Sequence, residues 1–104
     1  RRSDRARQLF EETCRLAPRL PQAHADLGAA RLALDDAAGA LPCFDRALAL
    51  DPRHLSSLYQ RGGALKKLGR FKDALAMVDK LLALDPGHQP AIDARQGLLE
   101  QLNK

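Results

Sequence analysis

Metal or nucleophilic chemistry in this 104-residue chain would have to be built from three histidines, two cysteines, three serines and the carboxylates. His54 and His88 are separated by the same interval at which many other residues of the chain recur. Stacked helical units hold equivalent residues on the order of 10 Å apart. Zinc ligands must lie about 2.0–2.1 Å from one ion. A shared metal is therefore not expected, and both histidines read as loop residues that follow a helix-ending proline. Ser56-Ser57 falls at a helix start, where capping is the ordinary role, and with Ser3 these are all the serines, none a plausible nucleophile. Asp35-Asp36 precedes a helix, where a carboxylate caps the end and meets the positive end of its dipole. Cys14 and Cys43 are offset by five residues between neighbouring units. That offset is about 7.5 Å along a helix axis, added to an interaxial gap of roughly 8–10 Å, and exceeds disulfide reach. Both cysteines read as small buried hydrophobes. No glycine-rich phosphate loop is present; Gly62-Gly63 lies within a helix, as a close-packing point or an open groove floor. No catalytic constellation, cofactor site or metal site is expected.

The elements that would position any site are set by a repeat. Leu-Ala-Leu-Asp-Pro occurs at 48–52 and again at 82–86, and Cys14-Arg15-Leu16-Ala17-Pro18 is a degenerate third copy. The step from position 14 to 48 equals the step from 48 to 82, and a fixed period of that length marks one supersecondary unit copied in tandem. Ala6, Ala40 and Ala74 keep the interval, as do Phe10, Phe44 and Val78, and Pro18, Pro52 and Pro86. Leu58, Leu65 and Leu68 form one helical face, and Phe71, Leu75, Val78 and Leu82 form another. The spacing predicts helices at about 4–17, 22–34, 37–50, 56–68, 71–84 and 90–102, with boundaries good to roughly 2–4 residues. Residues 1–20 hold the second helix of a partial repeat; 21–54 and 55–88 are full repeats; 89–104 hold a terminal first helix that acts as a cap. Pro42 breaks the pattern, because proline in a helix interior costs about 3 kcal/mol. Either that helix starts late, near Gly39, or it kinks there. The pairs Gly28/Ala40 and Gly62/Ala74 are expected to let the two helices of each unit approach closely.

These residues resemble the tetratricopeptide repeat family, whose pattern is Trp, Leu-Gly, Tyr, then Ala, Phe and Pro at set spacings. The first full unit offers His24, Leu27-Gly28, Arg31, Ala40, Phe44 and Pro52, and the second Leu58, Arg61-Gly62, Leu65, Ala74, Val78 and Pro86. The flanks match half of the pattern each, so the resemblance spans the chain. It implies an all-α fold of about six helices, a right-handed superhelical stack of antiparallel helix pairs, in which first helices line a concave face. His24 stands in the place of the usual aromatic.

The same geometry implies a partner-binding groove formed by Gln22, Asp26, Ala29, Ser56, Tyr59, Gln60, Gly63, Lys66, Lys67 and Asp93, with Ala25, Ala33, Ala94, Gly97 and Gln101 beside them. Its floor is small-residued, so an extended peptide or a helix could lie there. Chaperone-binding members of the family clamp a C-terminal carboxylate with lysine, arginine and asparagine. The matching positions here are Ala25, Ala29, Gln60, Pro90 and Ala94, or one unit on, Asp26, Ser56 and Gln60. Neither register supplies the cations, which argues against that mode.

Charge and composition bound the rest. The net charge is +4, spread unevenly: residues 1–20 carry six Arg and three acids, 21–54 three Arg and five Asp, 55–88 six basic residues and three Asp. Lys66, Lys67, Arg70 and Lys72 cluster at one hairpin tip. Nucleic acid is disfavoured, because Tyr59 is the only aromatic placed to stack a base from the groove. No apolar run reaches the roughly 18 residues of a membrane span. Free cysteines fit a reducing, cytoplasmic setting, and the missing initiator methionine suggests a piece of a longer chain. The expected function is a non-catalytic protein-interaction scaffold that takes a peptide or protein partner in its groove. The alternative is a docking or targeting segment of a larger enzyme, such as a transferase. Leu9, Phe10 and Cys14 lie on an apolar stripe of the first helix, whose own partner helix is missing. Upstream helices of a longer chain, or a second copy of this chain through self-association at that helix, are expected to cover Phe10.

Overall fold

Prolines and left-handed turn residues punctuate the chain into six helices in a computed structural model that describes residues 2–104. Arg1, the first residue of the partial repeat, and the side chain of Ser3 lie outside the described residues. The helices are α1 (Arg2–Leu16), α2 (Pro21–Ala33), α3 (Ala37–Leu50), α4 (Leu55–Lys67), α5 (Phe71–Leu84) and α6 (Gln89–Leu102). Among the described residues there is no strand. Pro21 opens α2 at its first position and Pro90 lies in the opening turn of α6, where the missing N–H has no helical partner anyway.

The turn inside each full repeat is closed the same way. After α2, Asp36 N–H donates to the Arg31 carbonyl at 2.9 Å and Asp35 N–H to the Leu32 carbonyl at 2.9 Å. After α4, Arg70 N–H donates to Leu65 at 2.8 Å and Gly69 N–H to Lys66 at 3.0 Å. This paired geometry needs one residue in the left-handed region. Gly69 fills that place with φ 77°, and Asp35, one repeat earlier, fills it with φ 63°. Asp36 then caps α3 by accepting from Gly39 N–H at 2.9 Å.

Pro42 neither delays α3 nor forms its boundary. The helix begins at Ala37, as the predicted span has it, so of the two expected outcomes, a late start near Gly39 or a kink, the late start is excluded. Pro42 and Ala38, the residue whose carbonyl loses its partner, are both exposed, so water can satisfy the orphan acceptor.

Successive helices pack as antiparallel pairs stacked into a solenoid 42 × 27 × 19 Å in extent. One core cluster joins α4, α5 and α6 through Leu58, Leu65, Val78, Leu81 and Leu98, and a second joins α3 to α4 through Ala37, Ala40, Phe44 and Ala64. Phe44 is the largest side chain of the second cluster and is fully buried. A Cβ on Gly28 would meet its Cε1 at 2.5 Å, so glycine is what lets the ring seat against α2. Gly62 behaves differently: a Cβ there would meet Val78 Cγ2 at 3.5 Å, an ordinary contact. The expected close approach at Gly62 is therefore not required by the packing. His24 takes the aromatic place in the first repeat, buried, with Nε2 donating to the Pro18 carbonyl at 2.8 Å.

A second periodic feature ties each unit to the next. Asp45 meets Arg61 at 2.7 Å and Asp79 meets Arg95 at 2.7 Å, while Glu11 lies 3.9 Å from Arg31. Glu11, Asp45 and Asp79 are themselves spaced by one repeat period. Each pair joins a second helix to the following first helix, across the junction between units.

Candidate functional site: the groove

α2 and α4 touch directly, and the first helices of the two full repeats thereby form a shared wall. Against that wall opens a cavity of about 670 Å³. Tyr59, Gln60, Gly63, Lys66 and Lys67 of α4 line it, with Ala33 of α2 and Ala94 of α6. Half of the groove positions expected from the sequence thus converge on one hollow. Asp26 and Ala29 line a second hollow of about 370 Å³ with Arg2, Ala6 and Phe10 of α1. Ala33 borders both hollows, which makes them neighbours along one surface.

Gln22, Ser56 and Asp93 line neither hollow, and neither do Gly97 and Gln101. The first three lie near the starts of first helices, in bonds that span one helical turn. Gln22 donates to Asp26 at 2.8 Å, Gln60 to Ser56 at 2.8 Å, and Gln89 to Asp93 at 2.9 Å. Ala25 is fully buried and cannot form groove floor, a correction to its expected place. Adjacent helical residues diverge by roughly 100°, and that turn carries Ala25 from the face of Asp26 into the core.

The walls outside the expected groove set are apolar. Leu32 of α2, Phe71 and Val78 of α5, and Leu98 of α6, with Gly62 of α4, complete the larger cavity. Phe71 could have been found: it stands where the preceding unit has Ala37, a small-to-large change next to the turn. Tyr59 is 38% exposed and its ring centroid lies 5.7 Å from that of His88, which steadies it at the cavity edge.

The polar clusters elsewhere are structural. His54 Nε2 donates to Gln22 Oε1 at 3.1 Å, and its Nδ1 accepts from the Ser57 hydroxyl at 2.7 Å, bridging two repeats. Ser57 is fully buried, so no substrate could reach its oxygen. His88 Nδ1 accepts from Ala91 N–H at 3.2 Å and caps α6. Burial pushes both thiols up from their ordinary value, and each sulfur is free; Cys14 donates to the Ala23 carbonyl at 3.2 Å. Thiols held protonated in this way are poor nucleophiles. Among the described residues no helix is long and apolar enough to cross a membrane.

Stacked antiparallel helix pairs with a hollow along the first helices define a helical-repeat scaffold of the solenoid kind. Residues 31–99 match the tetratricopeptide repeat, and the chain belongs to that family. No curated protein matches the chain in sequence. Among solved structures it is similar to the first tetratricopeptide domain of Spaghetti (RPAP3) bound to an HSP90 peptide, SRMEEVD, at 20% identity and a TM-score of 0.96, over 99% of this chain and 82% of that one. It is similar to the Arabidopsis OM64 tetratricopeptide domain at 24% identity and a TM-score of 0.93, over 96% and 83%. The UNC-45 chaperone, described as binding and folding muscle myosin, is 28% identical with a TM-score of 0.84; the match covers 93% of this chain and 11% of that one.

Proposed function

We propose that the chain is a non-catalytic interaction module that binds a peptide or protein segment in its concave groove. The observation that carries this reading is the 670 Å³ hollow, of a size typical for ligand clefts (about 300–1,000 Å³), lined by first-helix residues. A relative of the same fold holds a peptide, SRMEEVD of HSP90. Its tail-binding mode is not carried over, because Ala25, Ala29, Gln60, Pro90 and Ala94 supply no cation to clamp a terminal carboxylate. A second reading is a docking or targeting segment of a larger enzyme; the UNC-45 match supports only its coarser part, a module of this fold within a longer protein, since it covers 11% of that chaperone. The sequence flanking residues 1–104 in the intact gene product separates the two.

Tyr59 is the aromatic anchor of the groove, and aromatic anchors dominate interface energetics. Affinity capture with the wild-type chain and Tyr59→Ala in parallel is expected to retain a protein that the variant loses. In calorimetric titration of that protein, Tyr59→Ala is expected to weaken binding by more than about 1 kcal/mol with helicity intact. Equal affinity of the two chains would remove Tyr59 from the binding site.

A further inference from the structure

We propose that the groove holds an internal acidic segment of a partner protein, with one bulky apolar side chain in the large cavity and Asp or Glu side chains against Lys66 and Lys67. The inference rests on the groove reading above and specifies the occupant's chemistry. The cavity walls name the anchor. Leu32, Phe71, Ala94 and Leu98 present carbon, and Tyr59 closes one side with its ring. Such a hollow gains from an apolar side chain roughly in proportion to the apolar area removed from water.

Charge names the rest of the segment. Arg7, Arg15, Arg31, Arg61, Arg70 and Arg95 each face a carboxylate of this chain. Among the described residues, Lys66 and Lys67 are in no such pair, and neither are Arg46, Arg53, Lys72 and Lys80, but of these only Lys66 and Lys67 line the cavity. They close the last turn of α4, whose dipole offsets only about half a unit charge. Most of two positive charges is thus left for a partner to meet. Adjacent residues on a helix diverge by roughly 100°. The two lysines therefore suit two separate carboxylates better than one terminal carboxylate gripped from both sides. Among the described residues no arginine lines this cavity to supply a bidentate fork. The neighbouring hollow beyond Ala33 gives such a segment room to continue toward α1, but Asp26 lines it, so the acidic side chains belong at the Lys66 and Lys67 end.

The test is selection of random 12-residue peptides whose C-termini are fused to the display scaffold. The bait is the full chain, with Gly63→Leu as counter-selection. A Cβ at Gly63 meets nothing within 4 Å, so Gly63→Leu fills the cavity while circular dichroism reports intact helices. Enriched peptides are expected to share one aromatic or large aliphatic residue and an excess of Asp and Glu. The best of them, made as a C-terminal amide, is expected to lose more than tenfold affinity with Gly63→Leu. With Lys66→Ala/Lys67→Ala it is expected to lose roughly three- to tenfold, and that loss to shrink as salt rises. Groove-dependent peptides without acidic bias, or indifferent to both lysines, overturn the inference and leave the groove reading standing. Enrichment only from a library with free C-termini overturns it in favour of a terminal carboxylate. Absence of any groove-dependent peptide from either library overturns this inference and the groove reading together.

Discussion

At the scale of single residues, identical letters at equivalent places do different work. Gly28 and Gly62 share a register position, yet only Gly28 faces a ring: its missing Cβ is the space that Phe44 Cε1 occupies. In the next unit the facing residue is Val78, which leaves room for a methyl group. Gly62→Ala is therefore expected to stabilise the chain by about 0.5–1 kcal/mol, the helix-interior cost of glycine. Gly28→Ala is expected to destabilise it by about 1–3 kcal/mol through overpacking of a fully buried aromatic. Paired urea melts check both signs; stabilisation by both would show that Phe44 repacks freely. The sequence could not separate the two glycines, because the distinction depends on which neighbour fills the shared space. The site was legible to a similar depth. Helix phase pointed to Tyr59, Gln60, Gly63, Lys66 and Lys67, which do line one hollow. It could not foresee that Gln22 and Ser56 form hydrogen bonds within their own helices, nor that Ala25 is sealed by packing.

At the scale of elements, helix boundaries were the legible part and helix interiors less so. All six helices lie within about two residues of the spans predicted from the period. Proline and the left-handed turn residue act locally, so their consequences show in the letters. Asp35 in the left-handed place of Gly69 is the instructive case, since the pair Asp35-Asp36 suggests a shared capping role and only Asp36 caps. Pro42 misled because the penalty of an interior proline depends on where its orphan carbonyl points. On the exposed side of α3 water relieves it, so the helix can run through. A lost helix bond and the ring's steric cost remain. Pro42→Ala restores an N–H at that position, and the gain is partly offset by the greater freedom of the unfolded chain. The expected net gain is about 2 kcal/mol, seen as a melting temperature several degrees higher. A lower melting temperature would show instead that the packing of α3 on α2 and α4 requires the proline.

At the scale of the whole molecule, the period organises junctions as well as hairpins. The pairs Asp45–Arg61 and Asp79–Arg95 recur with the repeat, and each is a surface ion pair worth about 0.2–1 kcal/mol. They add register more than strength. Stability must come from stacking, since a helix pair cannot bury its apolar face alone. That makes α1 the informative end. Phe10, expected to be covered by upstream helices or a second copy, is already partly buried and reaches the small hollow beside α2. The exposed residues are Leu9 and Leu16, at 68% and 69%, one face of α1 two turns apart, with Leu20 beyond them. An apolar stripe of this kind on a repeat edge is a contact surface in waiting. In the isolated 104-residue chain a second copy is available to cover it. Sedimentation at tens of micromolar is expected to show self-association that persists in high salt, because the contact is apolar rather than ionic. Leu9→Gln/Leu16→Gln is expected to yield a monomer of unchanged helicity, since neither side chain is part of the core. A wild-type chain that stays monomeric at that concentration would show that the stripe is tolerated bare. Association that survives the double substitution would place the contact elsewhere.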